Sequence, residues 1–149
     1  MERILSFWDN TLKKVYAFDI QQLAIDTTID RCSFLKNVCI HLDLHKRFDK
    51  YVNIMDAGIF NLGYLPQSDK TITTNANTVI ATLDKIWNKI NDEGRVVVVL
   101  YPRFKEGKEE AKMMEKYCAT LISKRFDVMK YQLINRKDAP YIICIDYHQ

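Results

Sequence analysis

Residues 95–101 read RVVVVLY, an apolar run without alternating polar side chains. A strand covered on both faces, as in the middle of a parallel sheet, has this pattern. Upstream, Val79, Leu83, Ile86 and Ile90 recur at helical spacing on a segment running to about Asn91. Thr74, Asn75 and Asn77 are candidate N-caps for that helix, and Asn91–Gly94 is its expected stop. Downstream, Gly107 opens a charged helix to about Ser123, with Met113, Tyr117 and Leu121 expected to face inward. FDVMKYQLI (126–134) and YIICIDY (141–147) follow as two strands, separated by NRKDAP, which suits an antiparallel pair.

Further towards the N-terminus, VYAFDI (15–20), NVCIHLDL (37–44) and DAGIFNL (56–62) read as three more strands. The first is followed by a helical period at Leu23, Ile25, Ile29 and Cys32, the second by a short charged helix around Lys46–Val52. Strands alternating with helices predict an α/β sheet, mostly parallel, with helices on both faces and an antiparallel C-terminal strand. In such a sheet, ligands bind beyond the C-terminal ends of the strands.

The chain has 149 residues, 48% in the hydrophobic set and 28% charged, which suits a single domain, 1–149, with a real core. That composition excludes a disordered segment, and no apolar run approaches the ~20 residues of a membrane span. MERILSFWDN has neither the basic start nor the apolar stretch of a signal peptide, so a cytoplasmic location is expected. The net charge of +3 permits nucleic-acid binding without demanding it. Cys32, Cys39, Cys118 and Cys144 form no CxxC pair, which argues against a structural zinc site, and Cys39 and Cys144 sit in apolar runs as small buried hydrophobes.

The strand ends carry the candidate chemistry. Asp19, closing AFDI, can accept both hydroxyls of a ribose, or cap the helix that follows. His41, Asp43 and His45 alternate, as a metal site on one strand face could use, but a fourth ligand is lacking and no metal is expected. Asp43 reads instead as an acceptor for an adenine amine, or as a solvated turn. Asn61-Leu62-Gly63-Tyr64 can hold a planar ring bearing an amine, with the ring stacked on Tyr64 and Asn61 accepting from the nitrogen; it can equally be a turn. Lys70, Arg103, Phe104, Lys105 and Lys108 fall in loops at the same sheet edge and could meet an RNA backbone. Against that, Glu106, Glu109 and Glu110 offset them, as on any solvated face.

Taken together, FDIQ (18–21), D-x-H (43–45), FNLGYLPQSDKTITT (60–74), GKEE (107–110) and YQLINRKDAPYIICI (131–145) resemble the bacterial family labelled rRNA methylases. One branch of that family methylates 5-aminomethyl-2-thiouridine at the tRNA wobble position. The resemblance implies a Rossmann-like class I methyltransferase fold of strand order 3-2-1-4-5-7-6, with S-adenosylmethionine as cofactor and tRNA or another RNA as substrate. A homodimer is compatible with it. By position, it implies that Asp19 takes the ribose hydroxyls with Gln21 beside it, and that Asp43 contacts adenine with His45 in the adjoining loop. Asn61 then orients the amine, Tyr64 stacks on its ring, and Asp69, His45 or water takes the proton. Leu62 and Gly63 stand where the similar Asn-Pro-Pro-Tyr motif has prolines.

Two departures stand out. The family begins with a strand and a Gly-rich turn, whereas the residues before Val15 contain no glycine. An N-terminally truncated domain lacking its first strand is therefore expected, which would remove two ladders of a central strand. After the fifth family strand, Tyr101-Pro102-Arg103-Phe104 replaces Tyr-His-Gly-His. An RNA methyltransferase, a non-catalytic relative kept as an interaction module, and a small-molecule methyltransferase on the same scaffold all remain compatible with the sequence.

Overall fold

The computed structural model describes residues 12–62 and 75–149. The chain divides into two compact units, Met1–Val52 and Asn53–Gln149. In the first, β1 (Val15–Asp19) and β2 (Val38–Leu42) form a parallel pair, joined by helix α1 (Gln22–Cys32) and followed by a 3-10 helix, His45–Lys50. Ala17 and Cys32 are buried, with Val15, Leu35 and Ile40 packed against them. The inward stripe of α1 is Ile25, Thr28 and Cys32. This corrects the expected face, because Leu23 and Ile29 are exposed. The buried Thr28 hydroxyl donates to the Ala24 carbonyl at 2.7 Å, so a polar residue is tolerated inside the stripe.

The second unit contains β3 (Met55–Leu62), α2 (Ala76–Ile86), β4 (Ile90–Leu100), α3 (Lys105–Cys118), β5 (Phe126–Tyr131) and β6 (Tyr141–Tyr147). Its sheet has the order β3-β4-β6-β5, and only β6 runs against the others. The strand order 3-2-1-4-5-7-6 contains the runs 3-2 and 4-5-7-6. These are the orders of the two sheets, β1-β2 and β3-β4-β6-β5.

Asn75 caps α2, its side-chain oxygen accepting from the Thr78 N–H at 2.9 Å. The helix ends earlier than expected, with Trp87 at its C-cap. Gly94 is therefore no helix stop. It lies in β4, where a Cβ would collide with Ile90 and with the Asn91 carbonyl. In α3 the buried stripe is Ala111, Met114 and Cys118, one position away from the expected Met113–Tyr117–Leu121 face.

Val96, Val98 and Leu100 are fully buried, whereas Val97 and Val99 are half-buried. Both helices of the unit lie towards the first set. Ile86 borders the Val96–Gly58 contact, and Glu115 accepts from the Tyr141 hydroxyl at 2.8 Å. Within this unit α2 and α3 share one face and pack together. Trp87 Nε1 donates to the Tyr117 hydroxyl at 2.9 Å, which donates to Asp84 at 2.8 Å and links the two helices. All four cysteines are free thiols, and Cys39 is only half-buried. No helix among the described residues is long and apolar enough to cross a membrane.

Candidate functional site

In the first unit, Asp19 pairs in register with Leu42, so Asp19 and Asp43 leave the same edge of the parallel pair. Asp19 Oδ1 accepts from the Gln21 N–H at 2.9 Å. Gln21, not Asp19, is the N-cap of α1, and its side chain makes no capping bond. Asp19 therefore fastens the turn between strand and helix with one oxygen. The other oxygen has no partner among the described residues, which leaves the strand end with a half-buried, positioned acceptor.

Asp43 is more heavily engaged. Its Oδ1 accepts from the Leu44 N–H at 2.8 Å and from Arg47 at 3.2 Å, and its Oδ2 accepts from the Tyr51 hydroxyl at 3.1 Å. Partial desolvation pushes the carboxyl pKa up, but the Leu44, Tyr51 and Arg47 donors outweigh it and hold the group below the usual carboxylate range. The same contact raises the Tyr51 hydroxyl.

The alternation of His41, Asp43 and His45 on one strand face does not occur. β2 ends at Leu42, and His45 opens the 3-10 helix. His41 packs its ring 4.0 Å from Tyr51 and 5.2 Å from Phe18, between centroids, as part of an aromatic cluster. Among the described residues no three His, Cys, Asp or Glu side chains group as a metal would require.

In the second unit, Asn61 is the penultimate residue of β3, in register with Val99. Its neighbours Phe60 and Leu62 are buried, so strand alternation turns the Asn61 amide to the opposite, exposed side. The amide has no hydrogen-bond partner among the described residues. Tyr64, Asp69 and Lys70 lie outside the described residues.

Tyr101-Pro102-Arg103-Phe104 forms the passage from β4 into α3, with Phe104 at the N-cap. Gly107 is needed there because α3 crosses close over the end of β4. A Cβ at that position would overlap the Tyr101 carbonyl oxygen and lie 3.2 Å from its carbon. From the sequence, NRKDAP separates two strands and forms part of the 131–145 family pattern, with no role given to its basic residues. The structure ties it to α3, Lys108 Nζ meeting Asp138 at 3.0 Å, and brings Arg136 and Lys137 to the C-terminal end of β4. Two adjacent basic residues in a turn were the available signal.

The strand orders, with an acid closing β1 and another just past β2, define a Rossmann-like class I methyltransferase fold. The chain belongs to the family described as "Putative rRNA methylase", whose model matches residues 15–146. It is similar to a chloroplastic tRNA (mnm5s2U34)-methyltransferase of Arabidopsis thaliana, 29% identical over 140 residues, covering 87% of this chain. The chain spans about half the length of that curated relative, 50%. A solved structure of a "putative methyltransferase" from Streptococcus mutans, in complex with SAH, has 31% identity and a TM-score of 0.85, over 97% of this chain and 81% of that one. A "putative rRNA-methylase" from Clostridium thermocellum has 32% identity and a TM-score of 0.82, over 90% and 75%.

Proposed function

We propose that this chain belongs to an S-adenosylmethionine-dependent methyltransferase acting on RNA, with the amino group of a 5-aminomethyl-2-thiouridine at the tRNA wobble position as acceptor. The reading takes residues 1–149 as one methyltransferase domain working in the cytoplasm. The observation that carries it is the pair of acids at adjacent ends of β1 and β2, in a chain whose family is that of the rRNA methylases. The wobble-uridine acceptor is suggested by the Arabidopsis thaliana relative.

The donor set suits the cofactor. Asp19 keeps one carboxylate oxygen open, and each carboxylate oxygen accepts more than one hydrogen bond, as two ribose hydroxyls require. Gln21, whose N–H is already tied to Asp19, stands beside that group. Asp43, held ionised by its three donors, serves as the acceptor for the adenine amine, with His45 two residues further on. Bound S-adenosylmethionine supplies a methyl group on a positively charged sulfur, activated for transfer to a nucleophile.

What remains for the protein is orientation. Asn61 accepts a hydrogen bond from the substrate amine and aims its lone pair, Tyr64 stacks on the ring, and Asp69, His45 or water receives the proton. Holding reactants in a near-attack geometry is worth several kcal/mol of barrier, about 7–11 at best. No strong base is needed for an amine that arrives neutral.

The test is calorimetric titration of the purified chain with S-adenosylhomocysteine, followed by methyl transfer to tRNA lacking the modification. Micromolar binding abolished by Asp19→Ala is expected. A folded chain that binds neither S-adenosylmethionine nor its product would refute cofactor binding by residues 1–149, leaving a fragment or a non-catalytic relative.

A further inference from the structure

β3, β4 and β5 run in one direction, so their C-terminal ends share one edge of the four-stranded sheet, where β6 begins. Two described loops leave that edge, residues 101–104 between β4 and α3 and residues 132–140 between β5 and β6. With the first turn of α3 they carry Arg103, Lys105, Lys108, Arg136 and Lys137 against Glu106 and Asp138, a net positive charge. Arg103, Lys105, Arg136 and Lys137 are exposed and make no ion pair among the described residues. Of the acids there, Asp138 is taken up by Lys108 at 3.0 Å. The opposite edge mixes signs, Lys89 and Lys124 standing among Asp56, Asp92 and Glu93.

The rim also exposes rings. Phe104 is 57% exposed and Tyr131 57%. The Arg103 guanidinium lies 5.8 Å from the centre of the Phe104 ring, so cation and ring are presented as one unit. Ile134, at the tip of the second loop, is wholly exposed. The Lys108–Asp138 pair ties that loop to α3.

Unpaired cations beside exposed rings match a nucleic acid whose bases are not stacked in a duplex. Phosphates meet the cations, and splayed bases find ring faces. We propose that this rim is the docking surface for single-stranded RNA, with Arg136 and Lys137 on phosphates and Phe104 and Tyr131 under bases. The proposal rests on the reading that the chain acts on RNA, and it adds the loop and the residues that hold the strand.

The experiment measures fluorescence anisotropy of a labelled hairpin RNA with a single-stranded loop, and of a blunt RNA duplex, against the full chain. Arg136→Glu with Lys137→Glu is expected to weaken hairpin binding by about tenfold or more and to cut the salt slope by about 1.4, near 0.7 per lost single-strand phosphate contact. Phe104→Ala should weaken it severalfold with the salt slope unchanged. Duplex should bind more weakly than hairpin. Lys124→Glu, at the opposite edge, should leave binding as it was. Wild-type affinity in the double variant, an equal loss in Lys124→Glu, or no RNA binding by the native chain would each overturn the proposal. Titration with S-adenosylhomocysteine separates the two ideas. Cofactor binding without RNA binding sinks the rim alone; RNA binding lost in the double variant, without cofactor binding, supports the rim and counts against methyl transfer.

Discussion

Replacing Gly107 by Ala sets two effects of opposite sign against each other. In an ordinary helix, Gly→Ala stabilises by about 1 kcal/mol, since alanine orders at lower entropic cost. Here the new Cβ would overlap the Tyr101 carbonyl oxygen and lie 3.2 Å from the Tyr101 carbon and 3.6 Å from Pro102 Cα. All three are backbone atoms at the end of a buried strand, so they cannot swing aside as a side-chain tip would. The first turn of α3 must retreat by about 1 Å to restore an ordinary C···O distance. Overpacking of this kind costs about 1–3 kcal/mol, often more than the propensity gain. At the middle of these ranges the expected net is a destabilisation of about 1 kcal/mol, or a melting temperature lower by about 2–4 °C in a chain of this size. Thermal unfolding followed by circular dichroism reads it, with Lys112→Ala on the exposed face of α3 as a neutral control. A Gly107→Ala variant that melts at or above the native temperature would refute the close approach of α3 to the strand end.

Further outcomes follow from other contacts. Tyr117→Phe removes the hydroxyl that accepts from Trp87 and donates to Asp84, and should cost about 1–3 kcal/mol in urea titration, with unchanged stability arguing against the link. Asp146 is held below the usual carboxylate range by Arg95, and Glu115 by Lys130, with burial opposing and Tyr141 assisting. Both folded pKa values lie under the unfolded ones, so their stabilisation is present above about pH 4 and lost as the pH falls below it. Arg95→Ala should flatten stability against pH in that acid range, and an unaltered acid limb would contradict the pairing. Asn61→Ala, in a form that turns over, should lower kcat more than it weakens cofactor binding. An equal loss of both would remove Asn61 from the role of aiming the amine.

Local patterns made much of the fold legible. The run at 95–101, the YIICIDY strand and the Asn75 cap were readable because each depends on a few adjacent residues: apolar content, β-branching, or a side-chain oxygen near a helix start. The helix faces were less legible. In α1 and α3, periodicity admits neighbouring stripes, and burial selected the one running through Thr28 or Cys118 rather than the more apolar one through Ile29 or Met113. Gly94 was misjudged for a related reason. Glycine at a chain break and glycine under a crossing backbone look alike in sequence, and only the neighbours tell them apart.

For the candidate site, the sequence by itself determined the strand-end residues Asp19, Asp43 and Asn61, because a strand followed by a polar residue is a local signal, and their family pattern is local too. Tertiary structure decided what each carboxylate is already bonded to. It also placed β6 between β4 and β5, an arrangement that depends on residues far apart in the chain. That insertion carries the 132–140 loop, with Arg136 and Lys137, to the edge where β3 and β4 end, and Asp138 of that loop meets Lys108 of α3. Non-local pairing forms only when distant apolar faces find a common core, and no window of adjacent residues records that choice.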